Sequence, residues 1–357
     1  SNDSYTIKEV RFTIAGTDAT SAAVNSLTLK DGSTSLATVP YDGTNDYYNV
    51  TGLSLPVAAN TSKVLTAEYN LAIPYTDGTT VTTGKAATLT MSYAKVANSQ
   101  GTETEPTASK VANYTYVYKT VPTFTAGTIT GQGTFLTSGS VTELYKFTVA
   151  APSNPTSTGV ALKQLKFAVT ITDGGTASAP TINTLSFFRG STNLTTSSVT
   201  IQDNTSASLE STTSSLTESN TSAVYVTFNT EEVIPAGSTY TYTLKGTPSG
   251  FMGLSTDSDT VATTVAQDAT PAGVSAGADA TLYYLASASQ SETNVQYLKV
   301  SINGTTGTDA NVIWSDNSAQ LHGYIVDTAA NGASADWFNG YLVDNFPLSA
   351  IGISYTN

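Results

Sequence analysis

A chain of 357 residues with 39% hydrophobic residues is long enough for two or three domains with their own cores. The net charge of −13, with 14 scattered basic residues, excludes the clustered Lys and Arg of nucleic-acid binding and disfavours anionic lipid surfaces. Cysteine is absent, which excludes disulfides and thiol catalysis, and no apolar run is long enough to predict a membrane span.

Alternation of apolar and polar residues runs along the whole chain and indicates strands, whereas the 3.6-residue period of a helix is nearly invisible. Turn pairs such as Asp31-Gly32 and Asp77-Gly78 separate the alternating runs. The pattern predicts an all-β protein built from tandem antiparallel Ig-like β-sandwich domains. Examples of the alternating sets are Leu65, Ala67, Tyr69 and Leu71; Leu89, Met91 and Tyr93; and Tyr145, Phe147 and Val149.

Two stretches about 155 residues apart carry nearly the same sequence pattern. Three matches in the same order predict a tandem array of one β domain, a design typical of structural and binding proteins. The matching segments are residues 7–12 with 162–167, residues 24–29 with 182–187, and residues 57–62 with 234–239.

A break in the alternation occurs at the same place in both copies. The inward residues step by three from Ile7 to Val10, and again from Leu162 to Leu165, before the period of two resumes. One extra residue reverses the phase of a strand, so the spacing predicts a β-bulge at matching positions.

The copies differ in front of this bulged strand. The second copy begins with a good strand at residues 143–149, whereas the first has only residues 1–6 before its match. One explanation is a truncated chain or a loose start. The other is that the first domain is built one strand short, which leaves an open apolar edge that invites a strand from another chain.

The second explanation predicts an interface between copies of this chain. Ile7, Val10 and Phe12 are its predicted acceptor residues. The donor would be the N-terminal arm or the segment near residues 349–355, where Ile351 and Ile353 alternate.

Composition shifts predict the domain boundaries. We expect a first β-sandwich at residues 1–120, with a polar loop or linker at 97–109, and a second β-sandwich at residues 121–272. Residues 273–357 form either a small third domain or the closing strands of the second.

The C-terminal part contains both tryptophans and the single histidine, His322. Its two signatures, residues 312–319 (VIWSDNSA) and 336–341 (DWFNGY), resemble the closing segment of large exported surface proteins of candidate-phylum bacteria (Patescibacteria). Those tails often read Phe-Ile-Trp-Ser-Asp-Asn-Ser and Asp-Trp-Thr-Asn-Gly-Tyr. Residues 144–149, 163–167 and 234–238 also look like their β domains. The resemblance implies a location at the cell surface and a structural or adhesive role.

The tryptophans allow two interpretations. In the first, Trp314 and Trp337 seal the end of a sandwich while neighbouring carboxylates cap turns. In the second, the rings stack on a pyranose and Asp316 or Asp336 binds its hydroxyls.

Catalysis is not expected, because one histidine has no cysteine to pair with and neither a Gly-x-Ser-x-Gly elbow nor a phosphate loop is present. No cofactor is predicted, although calcium is a candidate because it binds loop oxygens. The candidate ligands are Asp42 and Asp46 in one turn, and Asp257 and Asp259 in another. Solvated acidic turns are the alternative.

Together these features predict an extracellular, cell-surface structural protein. The expected role is that of a subunit of a filament, sheath or S-layer-like array, a homopolymer joined by β-strand donation between subunits. The alternative is a cell-surface adhesin or carbohydrate-binding module with a glycan as its partner.

Overall fold

A computed structural model gives the fold of this protein, and it consists of strands with no helix in the described part. This confirms the all-β prediction. The described residues are 2–15, 24–71, 76–77, 80–81, 85–106, 109–113, 115–130, 139–154, 157–175, 179–195, 197–205, 207–218, 222–254, 257–268, 299–302, 305–309, 311–318 and 336–354.

The described residues fall into two compact units, which we call domain 1 and domain 2. The first runs to Tyr118, apart from the segment Thr76–Thr79, which is grouped with the second, and the second otherwise begins at Lys119. The first twelve strands are β1 (Tyr5–Ala15), β2 (Val24–Asp31), β3 (Thr34–Pro40), β4 (Tyr48–Val50), β5 (Leu55–Val57), β6 (Leu65–Leu71), β7 (Thr76–Asp77), β8 (Thr80–Val81), β9 (Lys85–Asn98), β10 (Glu103–Thr104), β11 (Lys110–Val111) and β12 (Thr115–Val117).

Domain 2 supplies the remaining strands. They are β13 (Thr123–Ala126), β14 (Thr142–Ala150), β15 (Val160–Thr172), β16 (Thr181–Arg189), β17 (Thr192–Asn193), β18 (Val199–Gln202), β19 (Ser215–Thr217), β20 (Ser222–Ile234), β21 (Thr239–Ser249), β22 (Gly253–Leu254), β23 (Asp257–Ser258), β24 (Thr260–Val265), β25 (Lys299–Ile302), β26 (Thr305–Asp309), β27 (Val312–Ser315), β28 (Trp337–Asn339) and β29 (Ile351–Ser354).

Domain 1 is an antiparallel sandwich of two sheets. One sheet has the order β10-β9-β1-β4, with β5 also on β1 and with β11 and β12 also on β9. In the described part of the chain, the other has three strands in the order β3-β2-β6. Its core joins apolar residues of both sheets, among them Phe12 of β1, Leu29 of β2 and Tyr48 of β4.

Domain 2 is also an antiparallel sandwich, and its two sheets have more described strands than those of domain 1. Its first sheet has the order β13-β14-β21-β16-β17, and its second has the order β18-β20-β15-β24-β29, with β27 also paired to β15. Aromatic rings connect the two sheets. Phe147 of β14 lies 6.0 Å from Phe167 of β15, measured between ring centroids, and Phe187 of β16 lies 6.1 Å from Phe228 of β20.

The matching bulges are confirmed. The pairing of β1 with β9 skips Lys8, and the pairing of β15 with both β20 and β27 skips Lys163. These lysines occupy the same place in the repeated pattern. The Lys163 side chain is 3% exposed and donates hydrogen bonds to the carbonyls of Phe228 and Asn229, so this bulge is built into the core.

The described part of residues 273–357 contributes strands to domain 2. β27 pairs with β15, β28 pairs with β27, and β29 pairs with β24. The Asp268 carboxylate accepts backbone N–H groups of Asn311, Val312 and Gly340, which joins the end of β24 to this segment. Of the two alternatives for this region, these pairings favour closing strands of domain 2.

Residues 97–109 do not separate domains. β9 continues to Asn98, and the chain then turns back so that β10 and β11 both pair with β9. The Asn98 side chain accepts the backbone N–H groups of Gln100 and Thr102, which is the usual way that Asn closes a turn.

Candidate strand-binding groove of domain 1

The three-stranded sheet of domain 1 ends at β6, whose outer edge pairs with no strand among the described residues. In domain 2 the corresponding sheet continues. β21, the counterpart of β6, pairs with β16 on one side and with β14 on the other. β14 is therefore the strand of domain 2 that has no counterpart beside β6 among the described residues.

A groove of about 790 Å³ lies along this open edge. Its lining is mainly apolar and comes from both sheets of domain 1. Leu71 of β6 and Val111 of β11 also line it and are 45% and 57% exposed, so apolar side chains face solvent at its rim. Other apolar residues of the lining are Val10, Phe12, Leu29, Leu65, Leu89 and Met91.

The two domains can be compared position by position, because the strand pairings fix the equivalences. Leu29 pairs with Ala67 in domain 1, and Phe187 pairs with Leu244 in domain 2. Ala67 is therefore the counterpart of Leu244. The same registers make Leu65 the counterpart of Tyr242, Thr66 that of Thr243, and Glu68 that of Lys245.

In domain 2, Phe147 of β14 fills the space next to Tyr242, the counterpart of Leu65. Its ring is fully buried and contacts the rings of Phe167, Phe187 and Tyr242 at centroid distances of 6.0, 6.5 and 5.5 Å. Their counterparts in domain 1 are Phe12, Leu29 and Leu65, all of which line the groove. The groove is thus the domain 1 equivalent of the site that Phe147 occupies in domain 2.

Tyr69 gives one end of the groove a polar group. Burial raises the pKa of its hydroxyl to about 12. This buried hydroxyl has no hydrogen-bond partner among the described residues. A buried hydroxyl without a partner is costly, so this end of the groove favours a ligand with a hydrogen-bonding group.

The outer face of β6 is polar, in contrast to the mainly apolar groove, to whose lining Glu68 also contributes. Thr66, Glu68 and Asn70 are exposed, and Glu68 forms an ion pair with Lys30 of β2 at 2.6 Å. An arriving strand with alternating residues would therefore meet apolar side chains on one face and polar side chains on the other.

The predicted interface residues divide into two groups. Val10 and Phe12 line the groove and are 3% and 7% exposed, and Ile7 is half-buried beside them on β1. Ile351 and Ile353 lie elsewhere. They are 3% exposed in β29, which pairs with β24 of the same chain. Their prediction as donor residues is wrong for this fold, because their strand already completes domain 2.

The predicted calcium ligands hold backbone turns. The Asp42 carboxylate accepts the N–H groups of Thr44 and Asn45 and the Asn45 side-chain amide, which lowers the pKa of Asp42. Asp46 accepts the Tyr41 hydroxyl at 2.9 Å. These contacts are those of turn-capping residues, and calcium binding at this turn stays a prediction.

Asp259 of the second calcium pair is fully buried. Its carboxylate accepts the backbone N–H groups of Gly174 and Met252 at 3.0 and 2.8 Å, and so ties two loops together. Asp257 lies in β23, and its side chain is outside the described part. Within that part, no group of three or more acidic or histidine side chains is arranged to hold a metal ion.

The C-terminal tryptophans are core residues. Trp314 and Trp337 are both 1% exposed, and the Trp314 indole donates to the Asn339 carbonyl at 2.7 Å. The interpretation of these two rings as a sugar platform is wrong, because neither has a face open to a ligand. His322 lies outside the described residues.

The Trp-Ser-Asp-Asn-Ser signature holds the beginning of domain 2. Asp316 is fully buried and accepts the backbone N–H of Lys119 at 2.9 Å. The Lys119 ammonium donates to the Asn317 carbonyl at 2.7 Å, and Ser315 donates to Asp336 at 3.0 Å. The signature therefore has a structural role. The rarity of Trp draws attention to this segment in the sequence, but it does not show what the segment contacts.

Comparisons with known proteins add little. No protein-family model matches the sequence, and no curated protein matches it. Among solved structures, a Corynebacterium diphtheriae protein named "Putative membrane anchored protein" aligns with 71% of this chain and 54% of its own, at 10% identity and a TM-score of 0.16. The alignment thus spans about half of that protein. In the described part of this chain, no helix has the length and apolar character needed to cross a membrane.

Proposed function

We propose that this protein is a structural subunit of an extracellular surface assembly, in which domain 1 of one copy receives a β-strand from a neighbouring copy. The observation that carries the proposal is the open edge of β6 beside an apolar groove, at the position that β14 fills in domain 2. A strand added there gains backbone hydrogen bonds from β6 and buries alternate side chains in the groove.

The proposed contact joins two different surfaces of the protein, and this determines the form of the assembly. The groove on one copy and the donated strand on the next are different surfaces, so the interface is head-to-tail. Head-to-tail contacts that do not close into a ring produce open filaments. A filament or sheath is therefore the form of assembly that we favour.

Composition and resemblance support a location at the cell surface. A chain with 11% charged residues and no cysteine presents a surface rich in hydroxyl groups, with few charges to repel a neighbouring copy. The likeness of the C-terminal signatures to exported bacterial surface proteins favours the same location.

The test compares the assembly of the full chain with that of two tryptophan variants. Ala67→Trp places a ring in the groove, whereas Thr66→Trp places the same ring on the exposed outer face of the same strand. We expect the wild-type protein and Thr66→Trp to form filaments or sheets in electron micrographs and to sediment as oligomers. We expect Ala67→Trp to stay monomeric with an unchanged circular dichroism spectrum.

Two outcomes would contradict the proposal. One is a wild-type protein that stays monomeric up to high concentration. The other is an Ala67→Trp variant that is folded and assembles like the wild-type protein, which would mean that the groove takes no part in assembly.

A further inference from the structure

The packing of β14 in domain 2 indicates which side chains the groove of domain 1 accepts. Tyr145 of β14 lies opposite Leu244, and Phe147 lies opposite Tyr242. Both are fully buried, whereas Lys146 between them is not. β14 belongs to the same repeated domain, so it is a template for a strand that pairs with β6.

The side chains of β6 leave more room than those of β21. Domain 1 has Ala67 where domain 2 has Leu244, and Leu65 where domain 2 has Tyr242. The groove of about 790 Å³ beside them therefore has space for large apolar side chains at two alternate positions of an arriving strand.

Tyr69 prevents the bulge of β14 from forming in the groove. β14 bulges at Leu144, and a Cβ on Gly246 would lie 3.0 Å from that side chain. Tyr69 is the counterpart of Gly246, because the two follow the counterparts Glu68 and Lys245. Since Tyr69 has a ring where Gly246 has no side chain, an arriving strand pairs with β6 without the bulge.

The hydroxyl of Tyr69 favours a hydroxyl side chain on the strand opposite it. In domain 2 the residue opposite Gly246 is Thr142. Tyr69 lines the groove, and its buried hydroxyl has no hydrogen-bond partner among the described residues. A Ser or Thr at this position offers both a donor and an acceptor, which removes the cost of the unpaired group.

Glu68 reverses the charge that β14 meets in domain 2. There, Glu143 of β14 lies opposite Lys245 and forms an ion pair with it at 3.7 Å. Domain 1 has Glu68 in place of Lys245, and this carboxylate already pairs with Lys30. Like charges directly opposite each other are unfavourable, so a strand that fits has no acidic residue there.

We propose that the groove selects a strand of a neighbouring copy that carries five residues in a fixed order. From the N-terminal end, they are a hydroxyl residue, a residue that is not acidic, a large apolar residue, any residue and a second large apolar residue. In an antiparallel pairing they lie opposite Tyr69, Glu68, Ala67, Thr66 and Leu65. The inference rests on the proposed function for the source of the strand, whereas the order of residues rests on the groove.

Peptides derived from β14 test this order, with the full chain kept monomeric by dilution and binding measured by fluorescence anisotropy. The matched peptide has residues 142–149 with Leu144 deleted and Glu143→Gln, and both of its ends are capped. We expect the return of Leu144 to weaken binding about tenfold, because the bulge meets Tyr69. Phe147→Ala in the matched peptide should also weaken binding about tenfold.

Variants of the full chain test which residues select the strand. In Glu68→Lys, the peptide that retains Glu143 should bind more tightly than the matched peptide, which reverses the wild-type preference. With the wild-type protein, Thr142→Val in the peptide should weaken binding about fivefold, because the Tyr69 hydroxyl stays unpaired. With Tyr69→Phe, the same change in the peptide should no longer weaken binding.

The controls and the contradicting results are as definite. The matched peptide should not bind to the groove-filled variant Ala67→Trp, and it should bind to Thr66→Trp as to the wild-type protein. The inference is overturned by a matched peptide that does not bind, by a bulged peptide that binds equally well, or by a Glu68→Lys variant that keeps the wild-type preference.

Failure of the inference is distinguishable from failure of the proposed function. If the peptides overturn the order of residues but filaments form and Ala67→Trp abolishes them, the proposed function stands with a strand of a different sequence. If the peptides bind with the expected preferences but the full chain stays monomeric at high concentration, the order of residues is supported and the proposed function is overturned.

Discussion

The ring of Phe147 stacks on the ring of Tyr242, with 5.5 Å between their centroids and 28° between their planes. This pair joins β14 to β21 at the position where domain 1 has Leu65 on an open edge. The difference between the two domains is thus concentrated in one strand and in the aromatic side chain that it inserts.

Removal of that ring should weaken domain 2 strongly. Phe147→Ala leaves a cavity among three rings, and substitutions of this kind cost about 3–5 kcal/mol of unfolding free energy. The measurement is chemical denaturation followed by tryptophan fluorescence, which reports on domain 2 because both tryptophans belong to it. Lys146→Ala, one residue away on the other face, is the control and should change stability by no more than about 0.5 kcal/mol. Equal effects of the two substitutions would contradict the core role of Phe147.

Alkaline pH should destabilise domain 1 through its buried tyrosines. Burial raises the pKa of Tyr48 and of Tyr69 to about 12, above the ordinary value of 10.0 that applies in the unfolded chain. The unfolded chain therefore loses these protons first. Stability is intact below pH 10 and falls as the pH rises from 10 through 12.

The Tyr69→Phe variant separates the contribution of Tyr69, in the groove, to the loss of stability at alkaline pH from that of Tyr48, in the core. It should lose less stability between pH 10 and 12 than the wild-type protein, because only Tyr48 of this pair then ionises. Hydrogen exchange of the β1 and β6 amides measures the effect. A variant with the wild-type pH dependence would show that Tyr69 is not protected from ionisation.

Alternating sequence patterns predict most of the strands, because such patterns depend only on which residues face the core. The bulges at Lys8 and Lys163 were predictable because an extra residue changes the spacing of the inward side chains. Tyr93 shows the limit of such patterns. It was predicted to share a face with Leu89 and Met91, but the pairing of β9 skips Ser92 and turns Tyr93 outward, where Arg11 lies over its ring at 4.2 Å.

Long-range pairing could not be predicted in the same way. The alternation of Ile351 and Ile353 indicates a strand but not its partner, which proves to be β24. The burial of Trp314 likewise depends on contacts with a segment about 25 residues away in sequence. The groove beside β6 also depends on long-range pairing, because its lining comes from strands that are far apart in the sequence.

The carboxylate of Asp316 should be important for the stability of domain 2. Asp316→Ala leaves the partly buried backbone N–H of Lys119 without its partner, at a cost of about 1–3 kcal/mol. Asp344→Ala removes an exposed carboxylate from the same C-terminal region and should stay within about 0.5 kcal/mol of wild type. Thermal unfolding of both variants checks the difference. Similar melting temperatures would show that Asp316 does not stabilise the start of domain 2.

Assembly through the groove should stabilise the two domains unequally. A ligand that binds only the folded state raises stability in proportion to the logarithm of its concentration above Kd, and here the ligand is a strand of another copy. Hydrogen exchange of β6 should therefore slow as the protein concentration rises, whereas the tryptophan-monitored unfolding of domain 2 should not change. In the groove-filled variant Ala67→Trp, hydrogen exchange of β6 should not depend on protein concentration, while in Thr66→Trp it should slow as in the wild-type protein. Slower exchange in β6 of Ala67→Trp at high concentration would place the contact between copies outside the groove.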